Sequence, residues 1–593
     1  MSIDTLPPEI LIRILYYLPL QDIASFNLAS KFCHDVVSTN ETTVYQAAAM
    51  LHDFIGSPGP QSHSTLLMDS VHQPDATGWL ENVTSWKEFC KRHFLRECAW
   101  TGMRLGNNSP EPLSLNMPLP SILNNVHRFK VDEVERTVIC STAVGGLLVV
   151  SIDTEEVLWQ LPKRYVSPYA HVEFDRGFIV FTRRDNAVEV WRRSADSFKR
   201  NTYLTCNPAF AQVVASPYPV PRFPENFPPI FDEDSLSRRS RDPPPSLPRR
   251  GVYLPFALLN PPARTRASRF VYPHLLLASE ASRKAYIWDI PTSSLIQTIE
   301  ISPPPQPETL GLPEVIYYVE LNQEFVFVCW SFSLVVHRRV PDDRSGEPPK
   351  DNVAFSVRLD SMTEADPARS FIGSVPCPIF SVDLPSPTKL GLEASVPQTS
   401  VAARYPVTQV YTQVDNGTPL LWEDFAAVHV SPHGRDLVTV TQGGWLLYVP
   451  DFEDQSPSAR TRSPFKIYFS YHEFRTVEYL AFDGKRILLA LVSAANMLSG
   501  AHLNSKELQD SGIYAITLRD FLHPREPQID IQVRQLATVP PALRPEPGSR
   551  VSCLQLHSGS AWFTYTIFDD DENGGGNLAY VDLTASANQP SEA

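Results

Sequence analysis

The sequence predicts a multidomain protein of the α plus all-β class, in which a small three-helix unit and a helical linker precede a seven-bladed β-propeller. Two observations lead to this prediction. Apolar residues in the first forty positions recur at spacings of three and four, which is typical of short amphipathic helices. From about residue 120 that spacing gives way to runs of β-branched and aromatic residues, which are typical of strands. At 593 residues the chain is long enough for several ordinary domains, or for one large repeat architecture.

Three short helices are predicted in the segment DTLPPEILIRILYYLPLQDIASFNLASKFCHDVV. Pro7 and Pro8 stand where a helix can begin, because proline is tolerated in the first turn. Pro19 ends the first helix, because proline cannot continue one. A unit this small cannot bury all of its apolar side chains. Some of them should therefore face either the rest of this chain or a partner protein.

The order of residues in this segment closely resembles the F-box pattern. The matching elements are Leu6-Pro7, Glu9-Ile10-Leu11, Ile14-Leu15, Leu18-Pro19, Asp22 and Ala29-Ser30-Lys31-Phe32. The resemblance covers residues 1–40 and departs from the pattern at Phe26, where smaller aliphatic residues are common. It implies that the segment binds a Skp-type adaptor and, through it, a cullin. The adaptor-binding positions that it implies are Leu6, Pro7, Ile10, Leu11, Ile14, Leu15 and Leu18. The pattern leaves open which of these point outward and which hold the helices together.

A helical linker with polar loops is predicted over residues 41–119. The stretch TVYQAAAMLHDF is rich in good helix formers. Further on, Ser85 and Glu88 form a capping-box signature, followed by Trp86, Phe89, Cys90 and Phe94 on one helix face. We expect this second helix to pack the first unit onto the remainder of the chain, with Cys90 packed in the interior.

The propeller is predicted over residues 120–585 from seven loosely repeated units, each with an apolar strand followed by a strand that ends near Trp-Asp or its substitutes. The clearest unit, Ile287-Trp288-Asp289-Ile290 with a Thr-Ser-Ser turn, resembles a WD repeat. Seven blades of 40–45 residues are shorter than this span, and proline-rich insertions at 205–268 and 341–420 account for most of the excess. The segment VAFSVRL inside the second insertion leaves the blade count open by one. One or two β-sandwiches are the competing fold, and residues 586–593 are expected to be a disordered tail.

Composition argues against several functions. The net charge of −15 disfavours nucleic acid and anionic membranes as partners. The eight cysteines form no C-x-x-C pair, which indicates neither a zinc knuckle nor a redox motif. The apolar run 487–498 is too short to span a bilayer, and the amino terminus does not read as a signal peptide. We therefore expect a cytoplasmic or nuclear protein.

No standard catalytic motif is found, so the chain is expected to be non-catalytic and to use no cofactor or metal. Asp569, Asp570 and Asp571 could ligate calcium but lack the spacing of a calcium loop. If the chain were an enzyme, titratable residues would also have to converge on the propeller channel, and the sequence shows no such convergence. Arginines that flank a blade edge are candidates for a surface that binds phosphorylated targets. They are Arg183, Arg184, Arg192 and Arg193.

The sequence thus predicts a substrate-recognition subunit of a cullin ubiquitin ligase, in which the propeller holds a target protein near the ubiquitin-charged enzyme. Its contribution would be proximity, because tethering raises the effective concentration of the target's lysines. A scaffold that acts with the adaptor outside the ligase, or a non-catalytic interaction platform, are the alternatives.

Overall fold

The computed structural model describes residues 6–52, 54–55, 80, 83–101, 115–116, 126–183, 185–199, 208–218, 249–304, 314–339, 352–372, 375–383, 399–403, 424–453, 463–470, 475–493, 512–521, 528–538, 550–556, 560–567 and 575–582. The predicted tail at 586–593, the three aspartates at 569–571 and most of the arginine-rich stretch at 235–250 lie outside these residues.

The amino-terminal unit is helical, and Pro7, Pro19 and Ser30 lie at its helix starts. Its helices are α1 (Pro8–Leu15), α2 (Leu20–Ala29), α3 (Lys31–Thr39) and α4 (Glu41–Leu51). Pro7 precedes α1 and Pro19 precedes α2. The Ser30 hydroxyl accepts a hydrogen bond from the Cys33 amide at 3.1 Å and caps α3. Helix α5 (Trp86–Thr101) follows, and the Ser85 hydroxyl caps it by accepting from the Glu88 amide at 3.2 Å.

The rest of the described chain forms seven antiparallel blades arranged in a ring, so the prediction of a seven-bladed propeller is confirmed. The innermost strand of each blade contacts the innermost strand of the next, and the first and last blades also meet. Strands are given from the innermost outward. Blade 1 consists of β2 (Val126–Asp132), β3 (Thr137–Thr142), β4 (Leu147–Ser151) and β5 (Val157–Leu161), and blade 2 consists of β6 (Val172–Asp175), β7 (Phe178–Thr182), β8 (Val188–Arg193) and β9 (Tyr253–Leu259). Blade 3 consists of β10 (Ala267–Val271), β11 (His274–Ser279), β12 (Lys284–Asp289) and β13 (Ser294–Glu300), and blade 4 consists of β14 (Ile316–Leu321), β15 (Phe325–Trp330), β16 (Ser333–Arg338) and β17 (Val353–Arg358).

Blades 5 and 6 have five strands each, because two segments of the chain add an outer strand. Strand β20 (Ile379–Asp383) pairs in parallel with β25, and β21 (Thr399–Ala403) pairs antiparallel with β29. The other strands of blade 5 are β22 (Phe425–Val430), β23 (Leu437–Thr441), β24 (Trp445–Val449) and β25 (Phe465–Ser470). Those of blade 6 are β26 (Arg475–Phe482), β27 (Arg486–Ser493), β28 (Gly512–Phe521) and β29 (Gln528–Thr538). A short hairpin of β18 (Phe371–Ile372) and β19 (Val375–Pro376) precedes β20.

Blade 7 closes the ring with strands from both ends of the propeller sequence. Its strands β30 (Arg550–Leu556), β31 (Ser560–Ile567) and β32 (Gly575–Asp582) are completed by β1 (Leu115–Asn116), which pairs antiparallel with β32. The sheet thus begins before residue 120. Such closure protects the edges of the first and last blades, because their backbone groups are paired within one molecule.

Both ranges predicted as insertions contain an outer blade strand. Strand β9 lies within 205–268 and β17 lies within 341–420, so VAFSVRL completes blade 4 and adds no further blade. Pro255 in β9 obscured the strand pattern, but β9 is an outer strand with a bulge opposite Val190 and Trp191, where proline is tolerated. Three short helices also accompany the blades: α6 (Ser194–Lys199), α7 (Phe210–Ala215) and α8 (Leu359–Thr363).

Helix α5 belongs to two cores. Its first half, with Trp86, Phe89 and Cys90, packs among the amino-terminal helices. Near its end, Trp100 is fully buried between blades 6 and 7, where it contacts the cluster that includes Leu488 and Phe563. Helix α5 therefore packs against both the amino-terminal helices and the propeller. No helix among the described residues is long and apolar enough to cross a membrane.

Candidate functional site

The seven predicted adaptor-binding residues fall into two groups in the structure. Leu11 and Leu15 are buried in the core of the amino-terminal unit, with Leu6 and Leu18 partly buried against that core. Pro7, which precedes α1, is exposed, and so are Ile10 and Ile14 on the helix face that adjoins the buried Leu11 and Leu15. All seven residues thus lie on α1 or close to its ends. The four leucines pack in the core of the unit, whereas Pro7, Ile10 and Ile14 are accessible to a partner.

The accessible group forms an apolar strip that continues beyond the predicted residues. Ile10 and Ile14 expose 46% and 45% of their surface, and Tyr17, one turn later, exposes 75%. Leu28 on α2 is 84% exposed. Large apolar side chains at such exposure on successive turns of one helix indicate an interaction surface. Tyr17 and Leu28 were not among the predicted residues, although Tyr17 continues the i, i+4, i+7 spacing of Ile10 and Ile14.

This helical unit is fixed to the propeller by a compact contact at α5. The Arg486 guanidinium lies over the Trp100 ring, 4.8 Å from its centroid, and pairs with Glu97 and with Asp483. The Cys90 thiol donates to the Tyr45 carbonyl at 3.1 Å, and burial raises the pKa of this thiol to about 12. Cys90 is therefore a packed residue, as predicted, and a poor nucleophile.

The propeller channel is the second candidate site, a cavity of about 550 Å³ lined by all seven innermost strands. Charged side chains from successive blades meet there. Lys130 of blade 1 lies 3.0 Å from Glu173 of blade 2, and Arg269 of blade 3 lies 3.8 Å from the same carboxylate. The Arg269 Nε also lies 2.7 Å from Glu320 of blade 4, which in turn lies 3.0 Å from the His429 Nδ1 of blade 5. We call these five residues the channel network.

The network continues toward the remaining blades through uncharged groups. The His429 Nε2 lies 2.8 Å from the Leu480 carbonyl oxygen of blade 6, so both ring nitrogens face oxygen acceptors. The Gln555 amide of blade 7 donates to the Phe129 carbonyl of blade 1. Between blades 6 and 1, the Arg128 guanidinium lies 5.5 Å from the centre of the Tyr479 ring.

The carboxylates of the network are held in their charged form. Burial would raise the pKa of Glu320, but the Arg269 charge and the hydrogen bond from His429 lower it to about 2. Burial would likewise raise the pKa of Glu173, but Lys130 and Arg269 lower it. Titratable residues therefore do converge on the channel, and the expectation of no convergence was wrong, because each blade supplies only one member. Their mutual pairing is typical of a structural ion network.

Three of the arginines predicted as a phosphate-binding surface already contact acidic or aromatic side chains. Arg193 is buried and pairs with Asp132, Glu135 and Asp196. Arg183 binds the Asp185 carboxylate, with its Nε 2.9 Å from Oδ1. Arg192 lies over the Phe178 ring, 4.4 Å from its centroid. Arg193 is buried, so the prediction is wrong for this residue; Arg183 and Arg192 are partly exposed, and for them it stays a prediction, while Arg184 lies outside the described residues.

Within the described residues, no group of three or more histidine, cysteine, aspartate or glutamate side chains is arranged to hold a metal ion.

Comparisons with known proteins give similarity in fold alone. No family model matches the chain, and no curated protein matches it in sequence. Among solved structures, it is similar to Raptor from Chaetomium thermophilum at 9% identity and a TM-score of 0.41, covering 95% of this chain and 38% of that one. It is also similar to Hsv2 from Kluyvelomyces marxianus at 10% identity and a TM-score of 0.32, covering 70% and 86% of the two chains. The β-propeller domain of Cps50 (Swd1) from Myceliophteria thermophila matches at 8% identity and a TM-score of 0.37, covering 79% and 98%.

Proposed function

We propose that this protein is a substrate-recognition subunit of a cullin ubiquitin ligase, whose α1 binds a Skp-type adaptor and whose propeller binds the target protein. The supporting observation is the exposed apolar strip formed by Ile10 and Ile14 on α1 and by Tyr17 just beyond its end, within the segment that resembles the F-box. The adjoining face of α1 carries Leu11 and Leu15, which pack in the core of the unit, whereas Ile10, Ile14 and Tyr17 are not part of that core.

The propeller supplies the second half of this proposal. Seven blades form a large, closed ring, which suits an interaction platform. In this role the chain performs no covalent step. It accelerates ubiquitin transfer by keeping the target's lysines at high effective concentration near the charged enzyme.

Binding to a purified Skp-type adaptor tests the docking step. We expect the Ile10→Asp/Ile14→Asp variant to weaken adaptor binding by at least 100-fold, because two desolvated charges would replace the centre of an apolar interface. The matched control is Leu51→Asp, since Leu51 is a comparably exposed leucine on α4, at 51%. Equal circular dichroism of the three proteins would show that the helical unit stays folded. If the wild-type protein does not bind the adaptor, or if the two variants bind it equally well, adaptor docking through α1 is contradicted.

Recovery of the cullin tests the ligase step separately. We expect a tagged wild-type chain to recover both adaptor and cullin from cells, and the Ile10→Asp/Ile14→Asp variant to recover neither. Recovery of adaptor without cullin would contradict the ligase role and favour a scaffold that acts with the adaptor alone.

A further inference from the structure

Four aromatic rings lie in a stack between the end of α4 and the first half of α5. The centre of the His52 ring lies 5.3 Å from that of Phe54, and the Phe54 ring lies 4.8 Å from the His93 ring. The His93 ring in turn lies 4.3 Å from the Phe89 ring. Phe54 and Phe89 pack with the core of the amino-terminal unit. We call these four residues the aromatic stack, and it joins α4 to α5.

Each histidine of the aromatic stack accepts a hydrogen bond from a group that can only donate. The His52 Nε2 lies 3.1 Å from the backbone nitrogen of Leu20, the first residue of α2. The His93 Nδ1 lies 3.2 Å from a guanidinium nitrogen of Arg96. A backbone N–H and a guanidinium donate hydrogen bonds and do not accept them. Both of these ring nitrogens are therefore unprotonated, and both histidines are neutral in this arrangement.

His93 lies where the amino-terminal unit meets the propeller. Its side chain is buried, and three positive charges act on it. Arg96 lies one turn further along α5, and Lys485 and Arg486 lie at the turn between β26 and β27 of blade 6. Burial and then these charges lower the pKa of His93 well below its ordinary value of 6.5. The ring therefore stays neutral at pH values at which an exposed histidine takes up a proton.

The carboxylates at this meeting point are engaged by arginines. Glu97 of α5 and Asp483 of blade 6 both pair with Arg486. The same two carboxylates act on the charge of Arg96, as does Glu133 in the turn after β2 of blade 1. The charges that act on the His93 ring are the positive ones. A proton on His93 would thus add a further positive charge to a cluster of cations.

We propose that His93 makes the aromatic stack a pH-sensitive joint, which loosens when the protein is acidified and lets α4 separate from α5. A proton on Nδ1 would replace the hydrogen bond from Arg96 by a contact between two positive charges. The nearby Cys90 and Tyr45 cannot relieve this repulsion by ionising, because burial raises the pKa of both groups. Because the closed joint resists protonation of His93, it is fully stable above pH 6.5 and weakens as the pH falls below that value.

His52 acts in the same direction at the other end of the stack. Its protonation at Nε2 would remove the acceptor of the Leu20 amide. It would also place a positive charge at the start of α2, where the helix dipole disfavours one. The joint thus contains two histidines that are both neutral when it is closed. This inference does not depend on adaptor docking, because the apolar strip lies on α1 and not on α4 or α5.

Hydrogen exchange of the full-length protein at pH 7.5 and pH 5.5 tests the proposal, after correction for the intrinsic effect of pH on amide exchange. The opened joint binds a proton at the ordinary pKa of histidine, so this acidification should raise its population about tenfold through His93 alone. We expect amides of α4 and of the first half of α5 to exchange faster by at least this factor, because short helices without packing are unstable. Amides of the blade strands should change less.

His93→Gln is the decisive variant, because glutamine can accept from Arg96 but does not take up a proton in this pH range. It should remove about tenfold of the increase, and His52→Gln/His93→Gln should exchange equally at the two pH values. The control is His433→Gln, at an exposed histidine in the turn between β22 and β23, and it should keep the full increase. If His93→Gln does not fold, His93→Phe serves the same comparison, because it keeps a ring in the stack.

Three results would overturn the proposal. The first is equal corrected exchange of α4 and α5 at the two pH values in the wild type. The second is an increase that His93→Gln leaves unchanged or that persists in the double glutamine variant. The third is an equal increase in the blade strands, which would indicate acid unfolding of the whole chain. Adaptor binding at pH 7.5 is expected to be equal in wild type and His93→Gln, so failure of this proposal leaves adaptor docking intact.

Discussion

Glu320 is the residue through which the channel network can be tested most directly. Its carboxylate is 2% exposed and lies within hydrogen-bond distance of Arg269 at 2.7 Å, His429 at 3.0 Å and the Leu321 amide at 3.0 Å. The Glu320→Gln variant keeps the shape of the side chain but removes its charge. Arg269 would then depend on Glu173, which lies 3.8 Å away.

The expected loss follows from the pKa of Glu320. A folded-state pKa of about 2, against an ordinary value of 4.5, corresponds to about 3 kcal/mol of unfolding free energy at neutral pH. This lies at the lower end of the roughly 3–5 kcal/mol lost when one partner of a buried pair is removed. Because the folded pKa is depressed, the stabilisation is complete above pH 4.5 and is lost as the pH falls toward 2. It should be about half as large at pH 3.

Urea unfolding followed by tryptophan fluorescence at pH 7, 5, 4 and 3 provides the measurement. We expect the difference between wild type and Glu320→Gln to be about 3 kcal/mol at pH 7 and to shrink steadily below pH 5. The control is Glu300→Gln, because Glu300 is 74% exposed and its pair with Lys284 should contribute less than about 1 kcal/mol. A Glu320→Gln difference below 1 kcal/mol, or one that does not change with pH, would refute the assignment of Glu320 as a charged, paired member of the network.

Three further substitutions test other parts of the fold. Trp100→Ala should lower the unfolding free energy by about 3–5 kcal/mol, measured by chemical denaturation, because it empties a fully buried site between blades 6 and 7. Gly145→Ala should cost about 1–3 kcal/mol in the same assay, since its φ is +88° and the new Cβ would lie 2.6 Å from the Lys163 carbonyl oxygen. Lys466→Met should cost about 1–3 kcal/mol and speed amide exchange in α8, because the Lys466 ammonium donates to the Ser361 carbonyl at 2.5 Å and that carbonyl would lose its partner.

The sequence was sufficient to find the third strand of every blade, because most of these strands are rich in β-branched and aromatic residues and end near Trp-Asp or a substitute. Strand β24, with Trp445–Val449 fully buried, is an example. The outermost strands were harder to predict. Strand β1 has two residues, β9 contains a proline, and β20 pairs in parallel, so none of them shows the alternating pattern of a half-buried antiparallel strand.

The helical unit could be predicted closely because helix starts depend on local chemistry. Pro7, Pro19, Ser30 and Ser85 each mark a helix start that the structure contains. Which side of α1 is covered could not be predicted, since Ile10 and Leu11 are similarly apolar and only packing against the rest of the unit, including α3, separates them. The channel network could not be predicted from the sequence either. Blades 1 to 5 each contribute one of its residues, and these become neighbours only when the blades assemble into a ring.

The channel network joins the inner strands of a propeller whose repeats are irregular. A regular WD repeat places the same polar residues in every blade, and here only the unit at Trp288-Asp289 retains that pattern clearly. The alternating charges of Lys130, Glu173, Arg269 and Glu320 instead give each inner strand of blades 1 to 4 a neighbour of the opposite sign. The order of the blades already follows from the chain, which joins consecutive blades directly. The charges add contacts between neighbouring blades, and reversing one of them would place like charges together in a buried channel, which is costly at low dielectric.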